Sequence, residues 1–300
     1  MKHISKGKVV FSFSPHHRPV GHVTPGEIVL LETEDAVGGQ VKSEDAALEK
    51  LDWSRVDGAT GPLYITGAEK GDTLVTEILD IKTADKGVIL TIPGNGALKD
   101  RKFAASARIV RIDQGYAYYG DIRVRTRPLI GTIGVAPAEG ETPSGTSGRH
   151  GGNIDCKELT SGTRLYLPVF VDGALFAAGD LHAVQADGEL CVSAIEVPGT
   201  VMLRFSVIKR KQPPWPLLET ADHYSYLVAG DTLDDAAVKA TEAAVEALMR
   251  AYRLSFEEAY MLGSLLVDIK VNQIVDPQRG VRAQIDRRDM DLAHLLIPTG

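Results

Sequence analysis

From Val9 to about Lys211 the chain runs in short stretches rich in Val, Ile, Leu and Thr, apolar positions alternating with polar ones between closely spaced turn residues. A period of two sends successive side chains to opposite faces, so this two thirds of the chain is expected to form strands with one face turned inward. One device recurs: a turn carrying glycine, often with a proline or a charge, followed by an alternating strand. It is spelled TPGEIVLLETEDA at 24–36, EKGDTLVTEILDI at 69–81, TSGTRLYLPVFVDG at 160–173 and VPGTVMLRFSVIK at 197–209. Glycine supplies the permissive backbone of the turn. The recurrence reads either as a loose structural repeat or as the ordinary grammar of a β-sandwich.

At Gly230 the period changes. TLDDAAVKATEAAVEALMRAYRL places Ala237, Ala240, Ala244, Val245, Leu248 and Ala251 at helical spacing, with Thr232 as N-cap and Asp235 three residues on. A second helix is expected from Ser255, where Glu258 stands at the reciprocal capping-box position. That helix, FEEAYMLGSLLVDIKVNQI, is apolar nearly all round towards its end, which predicts burial against the sheets. IKVNQIVDPQRGVRAQID returns to strand alternation around a Pro/Gly turn, and the LAHLLIP cluster in the tail predicts a docked arm. The expected fold is therefore mainly β with C-terminal helices, a sandwich-like or barrel-like α+β arrangement in one compact chain. Residues 1–229 would form a β-rich catalytic body, and 230–300 a helical hairpin with returning strands packed on it.

Composition narrows the function. Three hundred residues suffice to bury a substantial core. The net charge of −7 is interspersed, with no basic block longer than Lys209–Lys211, which argues against nucleic acid and anionic membranes as partners. No apolar run reaches the roughly 18 to 20 residues that span a bilayer, and the N-terminus lacks a signal-peptide core, so a cytoplasmic location is expected. Cys156 and Cys191 are too few for a disulfide framework and fit a reducing compartment.

Three stretches carry ligand-type residues. In FAAGDLHAVQADGELCVSAIE, Asp180 and His182 stand two apart; on an extended strand both point to one face and can share an ion. Gln185 and Asp187 add oxygen donors, and small neighbours leave room for a substrate. Against this stands a solvated turn at Asp187-Gly188. The glycine-rich loop ETPSGTSGRHGGNID ends in Asn153 and Asp155, and a loop this long inside a β protein is more often functional than idle. Its Ser144 and Ser147 lack the spelling and the α/β surroundings of the amidase-signature enzymes. Near the N-terminus, His16, His17 and His22 precede Glu32 and Asp35, a donor set suited to zinc or another divalent ion with an open site, although nearby prolines place the histidines on irregular backbone.

Taken in order, PGEIVLLETEDAVGGQ, GPLYITGAEKGDTLVTEILDI, IGTIGVAP, HGGNIDCKEL, GTRLYLPVFVDGALFAAGDLHAVQADGE and AIEVPGTVMLRF resemble the motif series of the acetamidase/formamidase family, over about residues 8 to 285. The resemblance implies hydrolysis of a short carboxamide such as formamide or acetamide, a β-rich fold, a bound divalent metal and a homodimer or larger homo-oligomer. By matching position it points to Glu32, Asp35, Asp155, Asp180, His182, Gln185 and Glu196. Ala186 and Ser193 stand where the family pattern carries glycine, a departure that would alter pocket size.

An unactivated amide needs a strong nucleophile, a stabilised oxyanion and a proton for departing ammonia. A divalent metal supplies the first two, lowering the pKa of bound water from about 15.7 toward about 7. His182, Asp180 and Asp155 are the expected metal ligands. Glu32, Asp35 and Glu196 are the candidate proton carriers, and Asn153, Gly152 and Gln185 the expected substrate-binding residues, with the Gly151 amide beside them. Zinc is the first expectation for the ion and calcium the second. Two readings compete: a non-catalytic calcium-stabilised β-sandwich that binds a small polar ligand, and an enzyme using Cys156 as nucleophile with His150 as base.

Overall fold

In the computed structural model, which describes residues 1–299, the four strands that follow the recurring glycine turns lie side by side in one sheet. Their spatial order is Ile28–Thr33, Gly199–Ile208, Thr73–Thr83, Arg164–Pro168, each antiparallel to the next. Alternation does what the pattern predicts. Val29, Leu31, Leu74, Ile78, Leu165, Val201 and Leu203 are fully buried and face the core, and each such side chain contributes about 1.5–3 kcal/mol.

A second large sheet closes the core from the other side. Its central strand, Phe176–His182, is buried at all seven positions. It pairs with Leu129–Gly134 along one edge, and along the other with Ala59–Ile65 and then Glu196–Val197. A strand covered on both faces reads as a run of small and apolar residues rather than as an alternation, which accounts for the spelling FAAGDLH. Gly179 permits the closest approach: a Cβ there would lie 2.1 Å from the Gly58 carbonyl oxygen.

The C-terminal part extends the first sheet. Val267–Gln273 and Arg279–Asp286 form a hairpin that pairs with His223–Gly230. Helix α1, Leu233–Tyr252, begins at Thr232, whose hydroxyl accepts from the Asp235 amide, and buries Ala240, Ala244, Val245 and Leu248 against that end of the sheet. Helix α2, Phe256–Leu266, opens with the expected box between Ser255 and Glu258. It stops at Leu266, earlier than expected, because the β-branched, alternating Val267–Gln273 pairs as a strand, and its expected burial does not occur. Only Ala259 and Gly263 are buried, while Phe256, Tyr260, Met261 and Leu265 are exposed, because α2 lies over α1 at the rim of the sheet instead of between layers. The tail packs as a short helix, Leu292–Leu295, with Met290, Leu295 and Leu296 buried beside α1.

The connection from Thr33 to Ala59 has only two short helical turns, Leu48–Lys50 and Trp53–Arg55. It is held down by a satellite cluster of Val37, Val41, Leu48, Val88, Leu90 and Ala107. This segment forms one wall of the cavity described next. No described helix is long and apolar enough to cross a membrane.

Candidate active site

Sheet register builds the site. Glu196 is the direct cross-strand neighbour of His182, and Thr132 pairs with both Gly179 and Asn153. Asp180 and His182 do meet, but by a different route from a regular strand. Asp180 sits at φ 54°, a left-handed conformation, where the pairing with Leu129–Gly134 skips Gly131. The kink aims its carboxylate at His182, whose Nε2 lies 3.2 Å away. Asp155 at φ 46°, Asp57 at φ 51° and Glu189 at φ 47° are also left-handed. This backbone costs on the order of 1–2 kcal/mol per residue, and its concentration in four acids of one cluster makes the cluster the candidate site.

His182 Nε2 faces three carboxylates: Glu196 Oε2 at 3.0 Å, Asp180 Oδ1 at 3.2 Å and Asp155 Oδ1 at 3.9 Å. Its other nitrogen is committed. The Gln185 side-chain amide donates to the Asp155 carbonyl oxygen at 2.7 Å, which leaves Gln185 Oε1, an acceptor, 2.8 Å from His182 Nδ1. The proton of a neutral imidazole therefore sits on Nδ1, and the Nε2 lone pair points at the acids. A lone pair and carboxylate oxygens at these distances repel unless a positive charge lies between them. The arrangement is the one that holds a metal-ligating histidine from behind.

Unpaired oxygens support the same conclusion. Both Asp155 oxygens, Glu196 Oε2 and Glu189 Oε2 are buried without a hydrogen-bond partner. Asp155, His182 and Glu189, and likewise Asp180, His182 and Glu196, bring one donor atom each within 4.8 Å of one another. Burying several carboxylates around one imidazole costs several kcal/mol per ion unless a cation compensates them. Without one, protons must do so. Burial, followed by mutual repulsion, pushes Asp57, Asp155 and Glu189 well above the usual carboxylate range, Glu196 above it, and Asp276 up to about 7. Burial opposes charge on His182 too, yet Glu196 and Asp180 hold its pKa well above the usual imidazole value. Asp180 stays below the carboxylate range against its own burial, because the His182 charge and hydrogen bonds from His182, Glu196 and Thr132 stabilise its carboxylate. The donor set fits a divalent cation.

The cluster opens into a cavity of about 90 Å³ lined on one side by Asp57, Asn153, Asp180, His182, Glu189 and Asp276, and on the other by apolar residues including Trp53 and Leu90. The Asn153 amide donates to Asp276 Oδ2 at 3.1 Å, and its carbonyl accepts from Thr132 at 2.9 Å.

Several sequence expectations are corrected here. Glu32 is not in the cavity; it pairs with His3 at 2.8 Å on a partly exposed surface. Asp35 is buried but accepts from the Gly39 amide, closing the turn that presents Ala36 and Val37 to the cavity wall. Gln185 stands behind His182 rather than in the cavity. Gly152 lies in a strand opposite Ile133, where a Cβ would strike the Thr146 carbonyl oxygen, and does not line the cavity. Glu196 converges with the acids, but one oxygen is tied to the Ala194 amide and the Ser193 hydroxyl. His16 and His22 are exposed, and His17 bonds to Ser12. Cys156 is fully buried and its thiol is pushed up to about 11, unsuited to nucleophilic attack. Asp57, Glu189 and Asp276 were missed, since Asp57-Gly58, Gly188-Glu189 and Asp276-Pro277 all read as turns.

Replacing Gln185 by leucine is expected to free the His182 ring and weaken divalent-metal affinity about 10–100-fold, as loss of such supporting bonds typically does. Metal titration by calorimetry checks this, and unchanged affinity would refute the role.

A family model described as the Acetamidase/Formamidase family matches residues 5–143 and 139–283. A formamidase of Methylophilus methylotrophus is 27% identical over 351 residues, covering 90% of this chain and 86% of that protein. The chain spans only 61% and 63% of the length of two other curated relatives it matches. Among solved structures, an acetamidase of Bacillus halodurans superposes with a TM-score of 0.93 at 40% identity, covering 95% of this chain and 97% of that one. A predicted acetamidase/formamidase of Thermoanaerobacter tengcongensis gives 0.93 at 36% identity, covering 96% of each.

Proposed function

Because this chain belongs to the acetamidase/formamidase family, we propose that it is a metal-dependent hydrolase that converts short aliphatic carboxamides, formamide and acetamide first, to a carboxylate and ammonia. The observation that carries this reading is Nε2 of His182 facing three buried carboxylates beside a small open cavity. His182, Asp180, Asp155 and Glu196 would hold the ion. A nitrogen donor in the set favours zinc over calcium, which prefers an all-oxygen shell, and so favours an enzyme over a calcium-stabilised binding module. Such an ion, when bound, supplies an acidified water and Lewis-acid polarisation of the amide carbonyl.

The chain's own residues do the rest. A primary amide presents two N–H donors, and Asp57 and Asp276 line the cavity with acceptors for them. Asn153, clamped between Thr132 and Asp276, fixes that wall. Glu189, with one buried oxygen unpaired, takes the proton of the attacking water and delivers it to the amide nitrogen. Hydroxide oxygen joins the acyl carbon, the C–N bond breaks, and the new acid passes its proton to ammonia. The acid-rich wall stabilises the resulting ammonium.

Ammonia release from formamide, acetamide, propionamide and urea, with metal analysis before and after chelation, tests the proposal. The expected result is release from short amides that stops on chelation and returns with zinc. Release that persists in fully metal-free protein refutes the metal role, and no release from any amide refutes the enzyme.

A further inference from the structure

The largest fully buried side chain among the described residues is a charged one: Arg282, on the strand Arg279–Asp286, is 1% exposed. Taking a guanidinium out of water is costly, and a well-packed apolar residue of similar volume often serves stability as well or better. Its contacts give it another use.

Three segments meet on it. The fork donates twice to Asp187, from Nη1 to Oδ1 at 3.1 Å and from Nη2 to Oδ2 at 3.0 Å. Nη1 also donates to the Val271 carbonyl oxygen and to Asn272 Oδ1, each at 2.8 Å, and Nε lies 3.3 Å from Glu158 Oε2. Each segment carries one acid of the cavity cluster. Glu189 stands two residues after Asp187, Asp155 three before Glu158, and Asp276 four after Asn272. Short bonds pass the constraint on. The Gly188 amide donates to the Asn272 carbonyl oxygen at 2.8 Å, and the Ile274 amide to that of Gly188 at 3.2 Å. Lys157 Nζ lies 2.8 Å from Asp187 Oδ2, and the buried Gln273 accepts from the Asp276 amide at 3.0 Å.

We propose that Arg282 is a positioning residue: its buried fork locks together the segments that deliver Asp155, Glu189 and Asp276, and so presets the carboxylate cage that receives the cation. The inference rests on the metal-dependent reading above. Carboxylates gathered in a low-dielectric interior repel one another, so their segments need a tie other than the cation itself. Arg282 supplies it from behind, since it does not line the cavity. A planar fork holds several partners at fixed angles, whereas a lysine ammonium is a point charge.

Calorimetric titration of the purified chain with zinc and with calcium tests this, with circular dichroism and a thermal melt on every variant. Arg282→Lys keeps the charge and loses the fork, while Asp187→Asn keeps the shape and loses the charge. Each is expected to weaken metal affinity about 10–100-fold in folded protein. The double variant should lose less than the two factors multiplied, because both changes act on one bond. Tyr166→Phe is the control for destabilisation alone. It removes a buried hydroxyl bond to Glu219 outside the cavity wall, so the melting temperature should fall and the metal affinity hold. Wild-type affinity in either folded variant, or an equal loss in Tyr166→Phe, overturns the positioning role. If Arg282→Lys does not fold, Asp187→Asn decides. Fully multiplicative losses in the double variant overturn the route through Asp187. A wild type that takes up neither ion overturns the metal reading, and this inference with it.

Discussion

Replacement of His182 by alanine is expected to cut ammonia release from acetamide by at least about a thousand-fold and to leave the purified protein with little bound metal. The imidazole Nε2 faces Glu196, Asp180 and Asp155 together. Losing a residue that merely supports a ligand already costs about 10–100-fold, and removing the ligand itself should cost more. The variant also strands buried carboxylates without their positive partner, a loss of about 3–5 kcal/mol in comparable pairs, so its melting temperature should fall. Metal analysis, the ammonia assay and a thermal melt read the three effects separately. Glu32→Gln is the control: its side chain pairs with His3 on the surface, and wild-type activity is expected. A fully metallated, active His182→Ala protein would sink the assignment.

Gly131→Ala should be nearly as damaging, although it removes nothing. A Cβ at this position would stand 2.4 Å from Asp180 Oδ2 and 2.6 Å from Asp155 Oδ1. Gly131 is not in the left-handed region, so alanine can adopt its backbone and the effect is contact rather than strain. Both carboxylates must shift, and a misplacement of about 1 Å in a catalytic group costs about 100-fold. The expected outcome is a folded protein whose activity and metal affinity both drop by about that factor. Wild-type kinetics in this variant would show that the two acids need not hold their positions.

These two residues also show what a sequence can and cannot disclose. Asp180 and His182 are legible because they are close in the chain and stand among small residues. Asn153 and Asp155 are legible because a long glycine-rich loop ends on them. Gly131, in IGTIG, carries no signal: its role is to be absent where two acids from other segments need space. Asp57, Glu189 and Asp276 look like turn residues because turns, like this site, use acids on unusual backbone. Glu32 misleads in the opposite direction, sitting in a family motif on a strand whose register points its side chain at His3. In α2 the apolar pattern was correct, but burial within one chain did not follow from it.

By itself the sequence determined what is local: the period-two strands and their glycine turns, the caps at Thr232 and Ser255, and the Asp180 and His182 pair two apart in the chain. Side-chain periodicity and capping are decided within a few residues, so they can be read there. Only the tertiary structure decided which carboxylates converge on His182, that Gln185 stands behind it, and how much of α2 is left uncovered. Those outcomes depend on strand register and on the packing of segments more than a hundred residues apart, such as Asp57 and Asp180, and no local rule fixes either.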